Sequence, residues 1–138
     1  MLNIKRVSVK DKVSVENVVY IGRANKTYSL SPNLLANPYV IGKDGDRDEV
    51  VEKYRRWLWS NIKEELESKD INYPNYKNKV FAELKRLQIL AREINVNNII
   101  NSTDNSLTLM CWCKSNEKCH GDVIINCLNW METNHVGE

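Results

Sequence analysis

Apolar and polar positions along this chain alternate in ways that mark out short strands and three helices. Residues 4–9 set Ile4, Arg6 and Ser8 against Lys5, Val7 and Val9, a faint strand pattern suited to a sheet edge. Val18-Val19-Tyr20-Ile21 is a continuous β-branched and aromatic run ending at Gly22, which predicts a buried central strand. A third run, Leu107 through Trp112, predicts another strand. Between them, Asp46 followed by Glu49 makes a capping box. Val50, Val51, Tyr54, Trp57, Leu58, Ile62 and Leu66 then recur at helical spacing to about residue 67. A polar break at 68–75, containing Pro74, precedes a second helix over about 76–94, with Val80, Phe81, Leu84, Leu87, Ala91 and Ile94 on one stripe. Residues 95–105 are asparagine-rich and read as a connector, with a short strand at Ile99-Ile100. The last helix is expected over 123–131, its inner face Ile124, Cys127, Leu128 and Met131, with a frayed tail from residue 132.

Buried strands that each lead through a loop into a helix define an α/β pattern. The expected fold is a small, mainly parallel sheet with helices packed on its faces, in a Rossmann-like three-layer arrangement. In such sheets ligands bind at the carboxyl ends of the strands. The two unusual loops, residues 22–47 and 111–122, both leave strands at that edge and should face each other. The first holds Pro32, Pro38, Gly42 and Gly45, yet Leu34, Leu35, Tyr39, Val40 and Ile41 are too apolar for disorder, so it should be ordered and pinned to the core.

At 138 residues the chain is expected to form a single domain, residues 1–138. Twenty basic and eighteen acidic residues give a net charge of +2, without the basic surplus of a phosphate-backbone binder, so duplex nucleic acid is not an expected partner. No apolar run suits a bilayer and the N-terminus turns polar too early for a secretory signal, which points to a cytoplasmic protein with no membrane contact. The cysteines, at 111, 113, 119 and 127, cluster late in the chain, unlike a disulfide scaffold.

The Cys111-Trp112-Cys113…Cys119-His120-Gly121-Asp122 segment admits several readings. As an anion cradle, backbone N–H groups around Gly121 and the positive end of the last helix would receive a phosphate or carboxylate, with His120 as a donor. As a nucleophile site, a cysteine near a helix start and a histidine would have a depressed pKa. As a zinc site, soft ligands lie close in sequence. Adjacent Cys119 and His120 cannot easily reach one ion, however, and no metal or other cofactor is expected. As plain packing, Cys111 and Cys113 would share one strand face, Trp112 the other, and Asp122 would cap the helix. In the first loop, Gly22 permits close approach, Arg23 can clamp a phosphate or carboxylate, and Asn37 before Pro38 can read a ligand or brace the loop. Arg47 opposes the helix dipole, which calls for an anionic partner, a ligand or Asp44, Asp46 or Asp48.

Taken together, Val19-Tyr20-Ile21-Gly22-Arg23, Ser31-Pro32, Leu35-Ala36-Asn37-Pro38-Tyr39-Val40-Ile41-Gly42, Gly45 through Val51, Tyr54-Arg55-Arg56-Trp57-Leu58 and the closing Cys/His motif resemble domain of unknown function 4326, a family common in phage and bacterial genomes. The likeness covers about residues 18–128. The closing motif is also distantly similar to domain of unknown function 488, with Cys111, Cys119 and His120 at the matching positions. The resemblance implies that Arg23, Asn37, Arg47, Cys111, Cys119, His120 and Asp122 form one functional cluster. The reading that joins these signals is a binding protein for a small anionic, nucleotide-like ligand, of the kind with which a phage sequesters a nucleotide-derived signal. Its ligand contacts would be Gly22, Arg23, Asn37, Arg47, Cys111, Trp112, Cys119, His120, Gly121 and Asp122. The alternatives are an enzyme acting on a nucleoside or nucleotide, a transferase or hydrolase with His120, Asp122 or Cys111 at the reaction, and a zinc-stabilised interaction module. The four tryptophans leave room for a homo-oligomer.

Overall fold

A computed structural model describes residues 1–11, 16–68 and 75–136. The elements run β1 (Ile4–Ser8), β2 (Val18–Tyr20), α1 (Arg47–Glu67), α2 (Lys79–Asn101), β3 (Leu107–Cys111) and α3 (His120–Thr133). The polar break expected at 68–75 lies mostly outside the described residues.

The strands form one parallel sheet in the order β1-β3-β2. β1 is the edge its pattern suggested. β2, expected at the centre, is the other edge and only half-buried, while β3 takes the central place with Leu107, Leu109 and Cys111 buried. A short apolar run does not say how many neighbours a strand has.

The register sets Ile4, Arg6 and Ser8 beside Leu107, Leu109 and Cys111, so these alternate positions share one face. α2 and α3 pack on that face, and α1 packs on both of them. Leu58, Ile62, Leu84, Leu87, Leu109, Ile124, Cys127 and Leu128 belong to the resulting core. Val7, Val18, Tyr20 and Met110, on the opposite face, stand outside it. The helical cover expected on both faces is therefore not seen among the described residues.

α1 starts where expected. The Asp46 carboxylate accepts from the Glu49 N–H at 2.9 Å, and the Glu49 carboxylate accepts from the Asp46 N–H at 3.2 Å. Its inward residues Val50, Tyr54, Leu58 and Ile62 fall on one stripe, with buried Glu65 accepting the N–H groups of Lys77 and Asn78 at the entrance to α2. α2 runs seven residues past its expected end, because the expected connector and Ile99-Ile100 strand are its last turns. There Asn95 and Asn98 donate their side-chain amides to the carbonyls of Met1 and Asn105, at 3.1 and 2.8 Å. Tertiary anchoring outweighs the low helix propensity of asparagine. α3 begins at His120, three residues earlier than expected, and buries the face predicted for it.

Candidate functional site

Both long loops leave the carboxyl edge of the sheet. After β2, Ile21 is fully buried and its N–H donates to the Met110 carbonyl at 2.9 Å. At Gly22 a Cβ would lie 2.3 Å from the Tyr20 hydroxyl, so only glycine lets the Tyr20 ring fold back over the turn. That hydroxyl donates to the Arg23 carbonyl at 2.6 Å and accepts the Trp112 indole N–H at 2.8 Å.

The first loop is pinned at several points, though of the apolar residues expected to hold it Leu35 is buried while Leu34, Val40 and Ile41 are exposed. The Asn33 amide donates to Glu83 on α2 at 2.7 Å, and the Tyr54 hydroxyl donates to the Leu35 carbonyl at 2.6 Å. Arg23 donates through Nη2 to the carbonyls of Asn37 and Tyr39, both at 2.6 Å. The Asn37 side chain accepts the Tyr39 N–H at 2.9 Å, which braces the turn behind Pro38.

The second loop is organised by two guanidinium groups. Arg6, on β1 and with a side chain only 7% exposed, meets the Asp122 carboxylate at 3.0 Å. It also donates to the carbonyls of Lys114, Ser115 and Glu117, at 3.3, 3.2 and 2.9 Å. Burial alone would lower the Arg6 pKa, but hydrogen bonds to Cys111 and Asp122 raise it, and the side chain stays charged. Arg47 pairs with Glu117 at 3.1 Å and donates to the Lys118 carbonyl at 3.0 Å. The anionic partner that Arg47 called for is therefore Glu117.

Three thiols meet between these cations. The Sγ atoms of Cys111, Cys113 and Cys119 all lie within 4.8 Å of one another, with Cys111 and Cys119 3.4 Å apart. Arg6 Nη1 points at Cys111 Sγ (3.6 Å), Arg47 Nη1 at Cys113 Sγ (3.2 Å) and the Gly121 N–H at Cys119 Sγ (3.4 Å). Hydrogen bonds from Cys111 and Cys119, with Arg47 alongside, hold the Cys113 thiol well below the ordinary range. The same bonds push Cys111 and Cys119 upward.

The start of α3 differs from the open cradle expected of it. Cys119 caps the helix through its sulfur, and Asp122 returns the capping box by accepting the Cys119 N–H at 3.2 Å. Gly121 is buried, and a Cβ there would meet Arg6 Cδ at 2.7 Å. His120 Nε2 lies 2.8 Å from the Ile21 carbonyl oxygen, which can only accept, so the proton is on Nε2. Burial keeps the ring below its usual pKa and neutral. The Nε2–H donor is thus taken up by the Ile21 carbonyl.

A cavity of about 320 Å³ opens between the loops. Of the residues expected at a ligand, Gly22, Arg23, Asn37, Arg47, Trp112, Cys119 and His120 border it; Cys111, Gly121 and Asp122 do not. Asp122 is held by Arg6 instead. Tyr39, Val40, Ile41, Val50, Val51, Cys113 and Lys118 complete the wall. Arg6 was missed as a site residue; its signal was a charge on the strand face that also carries Ile4.

Fold and site together define a small parallel α/β protein with a cation-rimmed cleft at the carboxyl edge of its sheet. The chain belongs to the family described as Domain of unknown function (DUF4326), whose model matches residues 3–130 and so takes in β1 as well as the two motif loops. No curated protein and no solved structure matches it. Among the described residues no helix is long and apolar enough to cross a membrane.

Proposed function

We propose that this protein binds a small anionic, nucleotide-like ligand in the cavity between its two loops. The observation that carries the reading is Arg23 at the rim of a cavity that Arg47 and Lys118, paired with Glu117 and Asp48, also border, and whose wall includes Val40, Ile41, Val50, Val51, Tyr39 and Trp112. A cationic rim suits a phosphate or carboxylate, and an apolar, aromatic wall suits a planar base. Among the described residues Arg23 faces only neutral carbonyls, so its charge is available to an incoming anion. The volume suits a mononucleotide-sized molecule better than a dinucleotide. Binding is favoured over turnover because His120 and Asp122, the candidate proton carriers, are both held in internal hydrogen bonds. Sequestration of a nucleotide-derived signal is the role that would use binding alone.

A thermal-shift screen of mononucleotides, cyclic nucleotides and their dephosphorylated nucleosides tests this. A cognate ligand at 100 times its Kd stabilises the fold by about 2.7 kcal/mol. The expected result is a shift from a phosphate-bearing compound that its nucleoside does not produce. No shift across the panel would remove the reading.

A further inference from the structure

We propose that Cys111, Cys113 and Cys119 form a binding site for a soft divalent metal ion of the zinc class, its fourth coordination position directed into the cavity. The site goes beyond ligand binding and stands on different atoms.

The first argument is geometric. A tetrahedral zinc ion with Zn–S bonds of about 2.3 Å sets its sulfurs about 3.8 Å apart. The three Sγ atoms lie within 4.8 Å of one another with a closest pair at 3.4 Å, so only small side-chain rotations are needed to close around an ion. The spacing of the cysteines is not finger-like, and the cluster arises instead from folding. Cys111 ends β3, Cys113 follows it, and Cys119 caps α3.

The second argument is the surroundings of the sulfurs. Each receives one N–H donor: Arg6 for Cys111, Arg47 for Cys113 and the Gly121 backbone for Cys119. Donors of this kind orient thiolates and spread their charge in metal sites. Three thiolates around a divalent ion carry a net charge of −1, and the Arg6 and Arg47 guanidinium groups donate to two of the three sulfurs. Binding releases to solvent the protons that the thiols carry. The sulfur set selects a soft ion over calcium or magnesium, which require oxygen ligands.

The third argument concerns the open position. Cys113 and Cys119 border the cavity whereas Cys111 lies behind them, so an ion held by all three faces the cavity. His120 stands beside it with Nδ1 unprotonated and 3.5 Å from Cys119 Sγ, because Nε2 holds the proton for Ile21. Cys127 is buried on α3 in the core and is not one of the three.

Titration of the reduced 138-residue chain with Co²⁺, with no nucleotide present, tests the site. The expected result is a sulfur-to-cobalt charge-transfer band that saturates at one ion per chain and is reversed by Zn²⁺. Cys113→Ser should lose about a third of that band and bind at least about tenfold more weakly, and Cys127→Ser should match the wild type. Mass spectrometry after alkylation of the wild type gives a second readout that does not depend on a variant folding. Zn²⁺ should protect Cys111, Cys113 and Cys119, and a chelator should restore their reactivity. A wild type with no charge-transfer band and no protection would overturn the site, as would a folded Cys113→Ser with an unchanged spectrum. Neither result bears on nucleotide binding, which the thermal-shift screen reads separately.

Discussion

The imidazole of His120 donates to the carbonyl oxygen of Ile21 at 2.8 Å, tying the first residue of α3 to the residue that follows β2. This bond joins residues 99 positions apart where the two loops leave the sheet. The Tyr54 ring stands edge-on to the same imidazole, with centroids 5.1 Å apart. His120→Ala leaves the Ile21 carbonyl buried without a donor and opens a gap against Tyr54. Urea denaturation should show a loss of about 2–4 kcal/mol at unchanged m-value. A loss under about 0.5 kcal/mol would mean the bond has little part in holding the loops.

Arg6 carries a second prediction. Its replacement by Met strands the Asp122 carboxylate and releases three loop carbonyls. Breaking a buried charge pair from one side costs about 3–5 kcal/mol, and the half-exposed Asp122 puts the expected loss at the lower end, about 3 kcal/mol. Arg6→Lys should recover little of it, since an ammonium cannot reproduce the guanidinium fork. Equilibrium unfolding of the two variants checks both statements.

Arg23 acts on the loop more than on the core. Without its two bonds to Asn37 and Tyr39, the turn behind Pro38 loses its clasp. Arg23→Met should therefore lower global stability by no more than about 1.5 kcal/mol. Amide hydrogen exchange around residues 37–44 should accelerate about tenfold, as expected for a local opening. Equal acceleration across α1 and α3 would contradict a loop-confined role.

Asp46 with Glu49 announced the start of α1, and the stripe Ile124, Cys127, Leu128, Met131 announced the buried face of α3, because both depend on local spacing. The meeting of the two loops followed from a parallel sheet, whose carboxyl edge gathers the segments leaving its strands. The early start of α3 was hidden because its cap is a thiol, outside the usual set of Ser, Thr, Asp and Asn. The closeness of the cysteines in sequence allowed a zinc reading, but which of them meet in space is set by the fold, which brings Cys111 and Cys113 to Cys119. Arg6 lies more than a hundred residues from its partners, and no local pattern could join them.

Glu132 supplies the pH dependence. Its hydrogen bond with Arg92, and another from Gln88, hold its carboxyl below the usual range and join α3 to α2. A carboxyl whose pKa falls on folding stabilises the native state above its unfolded pKa, and that contribution disappears as pH falls through the folded value. Glu132→Gln should thus cost up to about 1 kcal/mol at neutral pH, as expected for a partly exposed pair. Wild type and variant should converge in acid, below the usual carboxylate range. A gap in melting temperature that persists there would assign the loss to packing.

In the proposed function the guanidinium of Arg23 and the cavity beside it receive an anion. Calorimetric titration of the strongest phosphate-bearing compound from the thermal-shift screen, into wild type and Arg23→Gln at matched ionic strength, tests it most directly. Affinity should fall about tenfold or more in the variant, the loss of one charge-assisted pair, and fall comparably in wild type when the phosphate is removed. Equal affinity in all three titrations would contradict it.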